Sequence, residues 1–163
     1  MTLDTISITN ELPEHAQSVE ELSAIAFGPG RFTRSAFRLR ENITHEPDLS
    51  FVAHDAKSKM VGSVRLTKIL IGEKPAILLG PLVVVEDYKN KGLGALLMKA
   101  SLDAAKQYGH DLVLLVGDLP YYERFGFKVS KPGKIGMPAP VAKHRLLICE
   151  LKEGAAEVYS GEA

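Results

Sequence analysis

The sequence predicts a single-domain α/β protein with a mixed central sheet of about six to seven strands and helices on both faces. Three observations carry this. Apolar strands flanking a polar turn form a hairpin in the middle of the chain, so part of the sheet is antiparallel. After it come an apolar run, a glycine turn, an amphipathic helix and a second apolar run, the order of a right-handed parallel crossover. Finally, 163 residues suffice for one ordinary core and are too few for two comfortable ones.

Thr5 to Thr9 alternates apolar and polar residues and reads as a first strand. Pro13 opens a helix from Glu14 to about Phe27, with Val19, Leu22, Ile25 and Ala26 along its inner face, and Gly28-Pro29-Gly30 ends it. A second helix is expected from Thr33 to Asn42, its stripe made by Phe32, Ala36, Leu39 and Ile43. Ser50 to His54 and Met60 to Ile71 are the hairpin strands around Asp55 to Lys59. The next strand, Ala76 to Val85, contains Gly80-Pro81. Proline cannot donate to a ladder, so a bulge or break is expected there, with nearby backbone groups released for other partners.

Leu93 to Tyr108 has helical periodicity through Leu93, Leu96, Leu97, Ala100 and Ala104, and Gly109 stops it. Leu112 to Val116 is a buried strand parallel to the one before the helix. A short helix around Pro120 to Arg124, a strand at Phe127 to Ser130, a Pro/Gly-rich loop and a strand at His144 to Leu151 complete the order. The domain is taken as 1–151, with 152–163 a loosely held C-terminal tail.

Acidic and basic residues balance at 20 each, which argues against a nucleic-acid partner. No apolar stretch is long enough to span a bilayer, and neither a secretory signal nor a disulfide framework is visible, so no membrane partner and a cytoplasmic location are expected. Cys149 lies among apolar residues and reads as an inert core thiol. The five histidines show no metal-ligand spacing, so no metal is expected.

Chemistry concentrates in two places. Lys89-Asn90-Lys91-Gly92-Leu93-Gly94-Ala95 joins an apolar strand to a helix start. Such a turn leaves N–H groups unpaired where the helix dipole favours negative charge, and glycines let a phosphate approach the main chain. Just past the buried strand, Tyr122-Glu123-Arg124-Phe125-Gly126-Phe127 places a phenol on a short helix that glycine ends. A P-loop reading fails for want of Gly-Lys-Ser/Thr.

With the strand Leu82-Val83-Val84, these segments resemble, in order, the GNAT superfamily of acyl-CoA N-acyltransferases. Leu115 to Phe127 looks most like its YhbS-like branch. The resemblance implies a GNAT-like fold and an N-acetyltransferase that moves acetyl from acetyl-CoA to a primary amine by direct attack. It implies that main-chain groups of Leu82, Val83 and Val84 pair with the pantetheine arm. Leu82 N–H would be the oxyanion donor, the N–H groups from Asn90 to Ala95, beside Lys89, would hold the pyrophosphate, and Tyr122 would protonate the leaving thiolate. The acceptor is a small-molecule or peptide amine, and a homodimer stays open.

Departures from the family pattern are equally specific. Some branches carry a glutamate base earlier on the fourth strand, where this chain has Leu78, and many place an asparagine before the tyrosine, where it has Leu115. The proton path is left to ordered water, Asp118, His54 or Glu46. A non-catalytic acyl-CoA-binding or sensing module of the same fold is therefore the alternative. Arg31, Arg34 and Arg38, with Arg40 nearby, either form a solvated helix face or hold an anionic group of the substrate. Asp118 is either a helix cap or an active-site carboxylate. Lys131, Lys134, Lys143 and Arg145 are a solvated basic group or meet the coenzyme's ribose phosphate.

Overall fold

The structure, a computed structural model, describes residues 3–28, 30, 35–41 and 43–163. Its central sheet has seven strands: β1 (Ser7–Asn10), β2 (Phe51–His54), β3 (Met60–Ile71), β4 (Lys74–Val84), β5 (Leu112–Val116), β6 (Phe127–Val129) and β8 (Leu146–Glu150). They are ordered β1-β2-β3-β4-β5-β8-β6. All neighbours are antiparallel except β4 and β5, which the helix α3 (Leu93–Gln107) connects as a crossover. The other helices are α1 (Ala16–Phe27), α2 (Ser35–Arg40) and α4 (Leu119–Tyr122). Among the described residues no helix is long and apolar enough to cross a membrane.

Alternation along the strands divides the core into two faces. Ile77, Leu79, Val113, Leu115 and Cys149 pack with Leu93, Leu97 and Met98 of α3. Leu78, Leu112, Leu114 and Ile148, one position out of phase, face the other way. Val52, opposite in phase to Ala53, packs with Val19 and Leu22 of α1 on that second face. The central strands are buried on both sides, which is why β5 reads as an unbroken apolar run.

Three expectations are corrected. Residues 152–163 are not loosely held. Ala155, Ala156 and Tyr159 are buried against Leu78, Leu114 and Ile148, which would otherwise face water. A strand β9 (Gly161–Glu162) pairs in parallel with β7 (Ile135–Gly136), inside the stretch expected to be loop. The Tyr159 hydroxyl donates to the Pro75 carbonyl, and Lys134 Nζ donates to the Ala156 carbonyl at 2.6 Å.

On α3 the buried face is Leu93, Leu97, Met98, Ser101, Ala104 and Ala105, whereas Leu96 is 41% exposed. Ser101 can lie inward because its hydroxyl donates to the Met98 carbonyl at 3.0 Å. On α1, Ile25 is 85% exposed, and the buried row is Val19 and Ser23. Each helix turns a serine inward while one large apolar side chain, Leu96 or Ile25, faces out.

Candidate active site

The site begins where the sheet comes apart. Val64 pairs with Leu82, yet Leu66 pairs with Leu79, so Arg65 alone faces Gly80 and Pro81. Two residues against one is a bulge, at the expected position. Beyond it the Val85 N–H donates to the Val61 carbonyl at 3.0 Å. That bond sets the phase: Val83 exchanges bonds with Ser63, while the N–H and C=O of Leu82 and Val84 turn away from β3. On that side β5 pairs with β4 only at Ile77–Val113 and Leu78–Leu114. Leu82 and Val84 therefore border an open gap. Of the three main-chain segments expected to face it, Val83 is committed to the ladder.

On the opposite lip, the Gly117 N–H donates to the Arg145 carbonyl at 2.9 Å, which turns the main chain of Val116 toward the gap. A cavity of about 520 Å³ opens here. Leu79–Leu82 and Leu115–Asp118 form its floor, and Phe27, Phe37 and Arg40 close one side. Tyr122, Val141 and Arg145 close the other.

Tyr122 is aimed by packing. Its ring meets Tyr121 edge-on at 4.8 Å and Phe127 at 6.0 Å. Gly117 leaves it room, since a Cβ there would lie 2.5 Å from Tyr122 Cε2. Burial, with Tyr121 and Asp118 adding to it, pushes the Tyr122 phenol up to about 12. At neutral pH the group keeps its proton, so it can act as a proton donor.

The glycine turn lies at the start of α3. Tyr88 is buried and anchors it, and Asn90 and Gly92 both take positive φ, +62° and +92°. Glycine adopts that conformation without a Cβ penalty. Gly92 is the helix N-cap, and no side chain caps it. Among the described residues, the N–H groups of Asn90, Gly92, Leu93, Gly94 and Ala95 have no protein partner. The Lys91 N–H is already taken by the Tyr88 carbonyl at 3.3 Å, and Lys89 Nζ sits 3.2 Å from Glu86. At Gly94 the place of a Cβ is filled by the Tyr121 hydroxyl.

This geometry can be set beside known proteins. Residues 16–127 match the acetyltransferase (GNAT) family. The chain belongs to that family.

Among curated relatives, the uncharacterized N-acetyltransferase YjhQ of Escherichia coli K12 is 30% identical over 140 residues, 83% of this chain and 75% of YjhQ. The uncharacterized N-acetyltransferase YhbS of the same strain is 28% identical over 124 residues, 74% of this chain and 72% of YhbS. A crystal structure of YhbS from Escherichia coli in complex with CoA superposes with a TM-score of 0.81 at 23% identity, covering 97% and 88% of the two chains. A GNAT acetyltransferase from Brucella melitensis in complex with acetyl-CoA gives 0.62 at 24% identity, covering 93% and 97%. Both likenesses are of fold.

As a GNAT chain it has no carboxylate at the strand position of some branches: Leu78 is fully buried under the C-terminal segment. His54 lies against His15 at 5.1 Å and Glu46 lies 3.7 Å from Lys68, and neither borders the cavity. Asp118 does. It occupies the N-cap position of α4 without a side-chain cap bond, and its side chain, 76% exposed, lies 3.4 Å from Arg145 Nε. Burial and the neighbouring Glu150 carboxylate push the Cys149 thiol up, in keeping with an inert core residue.

Arg31 and Arg34 lie outside the described residues. Arg38 is exposed, and the arginine on the cavity wall is Arg40, whose Nη1 donates to the Gly80 carbonyl at 2.9 Å. Arg40 stood at the edge of the arginine group expected from the sequence, and it shares a helix face with Ala36 and Phe37, the apolar side of α2. Of the basic group considered for the ribose phosphate, Lys134 is tied to the C-terminal segment and Arg145 joins this cavity.

Proposed function

We propose that the protein is an acyl-CoA-dependent N-acetyltransferase that moves acetyl from acetyl-CoA to a primary amine by direct attack. One observation carries the reading: an unpaired edge of β4 runs between the free amides at the start of α3 and the Tyr122 cavity. The two similar proteins crystallised with CoA and acetyl-CoA support it.

The residues fit that co-substrate. Leu82 and Val84 present main-chain groups that a pantetheine amide could meet as a neighbouring strand does. The free N–H groups of Asn90 and Gly92 to Ala95 would hold the diphosphate. Leu82 N–H then faces the thioester oxygen. One preorganised donor at the charge developing there is worth about 3–4 kcal/mol. As the C–S bond breaks, Tyr122 gives its proton to the departing thiolate, and the second proton shed by the nitrogen as the amide forms restores the phenol. Asp118, the one carboxylate among the described cavity residues, takes the proton of the incoming ammonium.

Tyr122→Phe tests the reading. Thiol release from acetyl-CoA over an amine panel should fall about 10²–10⁴-fold in kcat with little change in the KM for acetyl-CoA. Equal loss of both would remove Tyr122 as the acid. Heat stabilisation by the coenzyme without turnover of any amine would favour a sensing module.

A further inference from the structure

We propose that the amine acceptor also carries an oxyanion, a carboxylate or a phosphate, held by Arg40 and Arg145 in the cavity beside Tyr122. The inference rests on the acetyltransferase reading above and names the class of its acceptor.

The charge of the cavity is the first argument. Among its described lining residues the charged side chains are Arg40, Arg145 and Asp118, two cations against one carboxylate. The other lining residues are mostly apolar, and Arg40 is the best buried of the three charges, whereas Arg145 and Asp118 are partly open to solvent at 43% and 76% exposure. An acceptor amine arrives as an ammonium. A purely cationic amine would enter an excess of positive charge, whereas an attached anion reverses the sign of that interaction.

The state of the two guanidinium groups is the second. Arg40 is fixed by its bond to the Gly80 carbonyl and lies 4.6 Å from the Phe37 ring centre, yet a guanidinium has five donors and this bond uses one. Burial, with the nearby Arg65 adding to it, lowers Arg40 to about 10, which leaves it a cation at neutral pH. Arg145 is partly exposed; its Nε is spent on an ion pair with Asp118 Oδ1 at 3.4 Å, and among the described residues its two terminal nitrogens make no hydrogen bond or ion pair. Those terminal nitrogens are donors in fork geometry, and an oxyanion at this wall would make charge-assisted hydrogen bonds with them. Asp118, next to Arg145, is left to meet the ammonium, so the cavity offers both signs to one small zwitterion.

The coenzyme's diphosphate does not account for these arginines. The free amides of the glycine turn provide for the diphosphate, and none of residues 89–95 borders the cavity. At about 520 Å³ the cavity suits a small molecule.

The experiment uses the full chain loaded with CoA or acetyl-CoA and amines in matched pairs: an α-amino acid against its amide, and phosphoethanolamine against ethanolamine. Turnover is read as thiol release, and binding to the CoA-loaded protein is read by calorimetry. The anionic member of a pair should exceed its neutral partner by about tenfold or more in kcat/KM or affinity, as charge-assisted hydrogen bonds permit. Which pair responds distinguishes carboxylate from phosphate. Arg145→Gln should collapse that ratio through KM, and Arg145→Lys should restore part of it.

Neutral or polycationic amines used as well as the anionic ones would overturn the proposal, as would a CoA-loaded protein that binds no anionic amine. A weakened acetyl-CoA KM in Arg145→Gln with an unchanged ratio would assign that arginine to the coenzyme instead. Failure to bind the coenzyme at all would mark the failure of the acetyltransferase reading itself.

Discussion

Strand β4 is two different structures joined at Gly80-Pro81. From Lys74 to Leu79 it pairs with β3, and at Ile77 and Leu78 with β5 as well, under apolar cover on both faces. From Leu82 to Val84 it keeps β3 but, among the described residues, has no strand partner on the other side. Composition does not distinguish the segments flanking Gly80-Pro81, since Ile77–Leu79 and Leu82–Val84 are both aliphatic runs. The difference is one of register. An extra residue shifts the strand against β3 and parts it from β5, and backbone groups that would have closed a ladder become available to a ligand.

Breaking the support of the bulge should have the largest effect. Arg65, the residue facing it on β3, makes two bonds to the buried Glu11 carboxylate, Nε to Oε1 at 2.9 Å and Nη2 to Oε2 at 2.8 Å. A third bond reaches Glu20 of α1 at 2.8 Å, and His45 Nε2 lies 3.1 Å from Glu11. Arg65→Ala takes two of the three bonds from the buried Glu11 carboxylate, leaving His45 alone beside it, and should cost about 3 kcal/mol in urea unfolding. A cost under about 1 kcal/mol would mean the cluster does not support this region.

The same cluster gives a pH prediction. Burial alone would raise Glu11, but hydrogen bonds from His45 and Arg65 outweigh it and hold the carboxyl at about 2, against 4.5 for the free group. Because the folded value is the lower one, the unfolded chain binds more protons in between. The contribution is complete above about pH 5 and disappears as pH falls through 2. Unfolding free energies measured from pH 7 down to 2 should show that loss, and Glu11→Gln should flatten it.

A proline separates the halves more sharply. Leu82→Pro removes one N–H that no ladder bond uses and part of a half-buried side chain packed on the core, so melting should fall modestly, while turnover per folded molecule should fall about 10²–10³-fold if that N–H is the oxyanion donor. A large melting loss with unchanged turnover per folded molecule would place the donor elsewhere.

How far these halves could be read from residues depended on what each feature needed. Gly80-Pro81 announced the bulge, because a proline cannot join a central ladder. The strand–glycine turn–helix order and the tyrosine before Gly126 announced the crossover and the phenol. The phase of the released strand was not legible, since a shift of one residue decides whether Val83 or Leu82 faces the gap. Helix faces failed where small residues compete with large ones, as Ser101 does with Leu96 and Ser23 with Ile25. That Arg40 rather than Arg38 lines the cavity was not legible, because the wall is assembled from segments far apart in sequence and a helix as short as α2 has little periodicity to read. The C-terminal segment looked like a polar tail because its buried residues are two alanines and a tyrosine, with no repeat.

That segment offers the smallest test, on the fully paired half of β4. The Tyr159 hydroxyl donates to the Pro75 carbonyl, so the C-terminus is pinned to the opposite end of the strand from the gap. Tyr159→Phe keeps the ring against the core and removes one neutral hydrogen bond, which predicts a loss of about 0.5–1.5 kcal/mol in urea unfolding. Turnover and the KM for acetyl-CoA should both hold, because nothing this residue touches borders the cavity or the glycine turn. A variant that folds as well as the parent but acetylates poorly would show that the two halves are coupled along the strand, and that the paired end sets how far the other end opens.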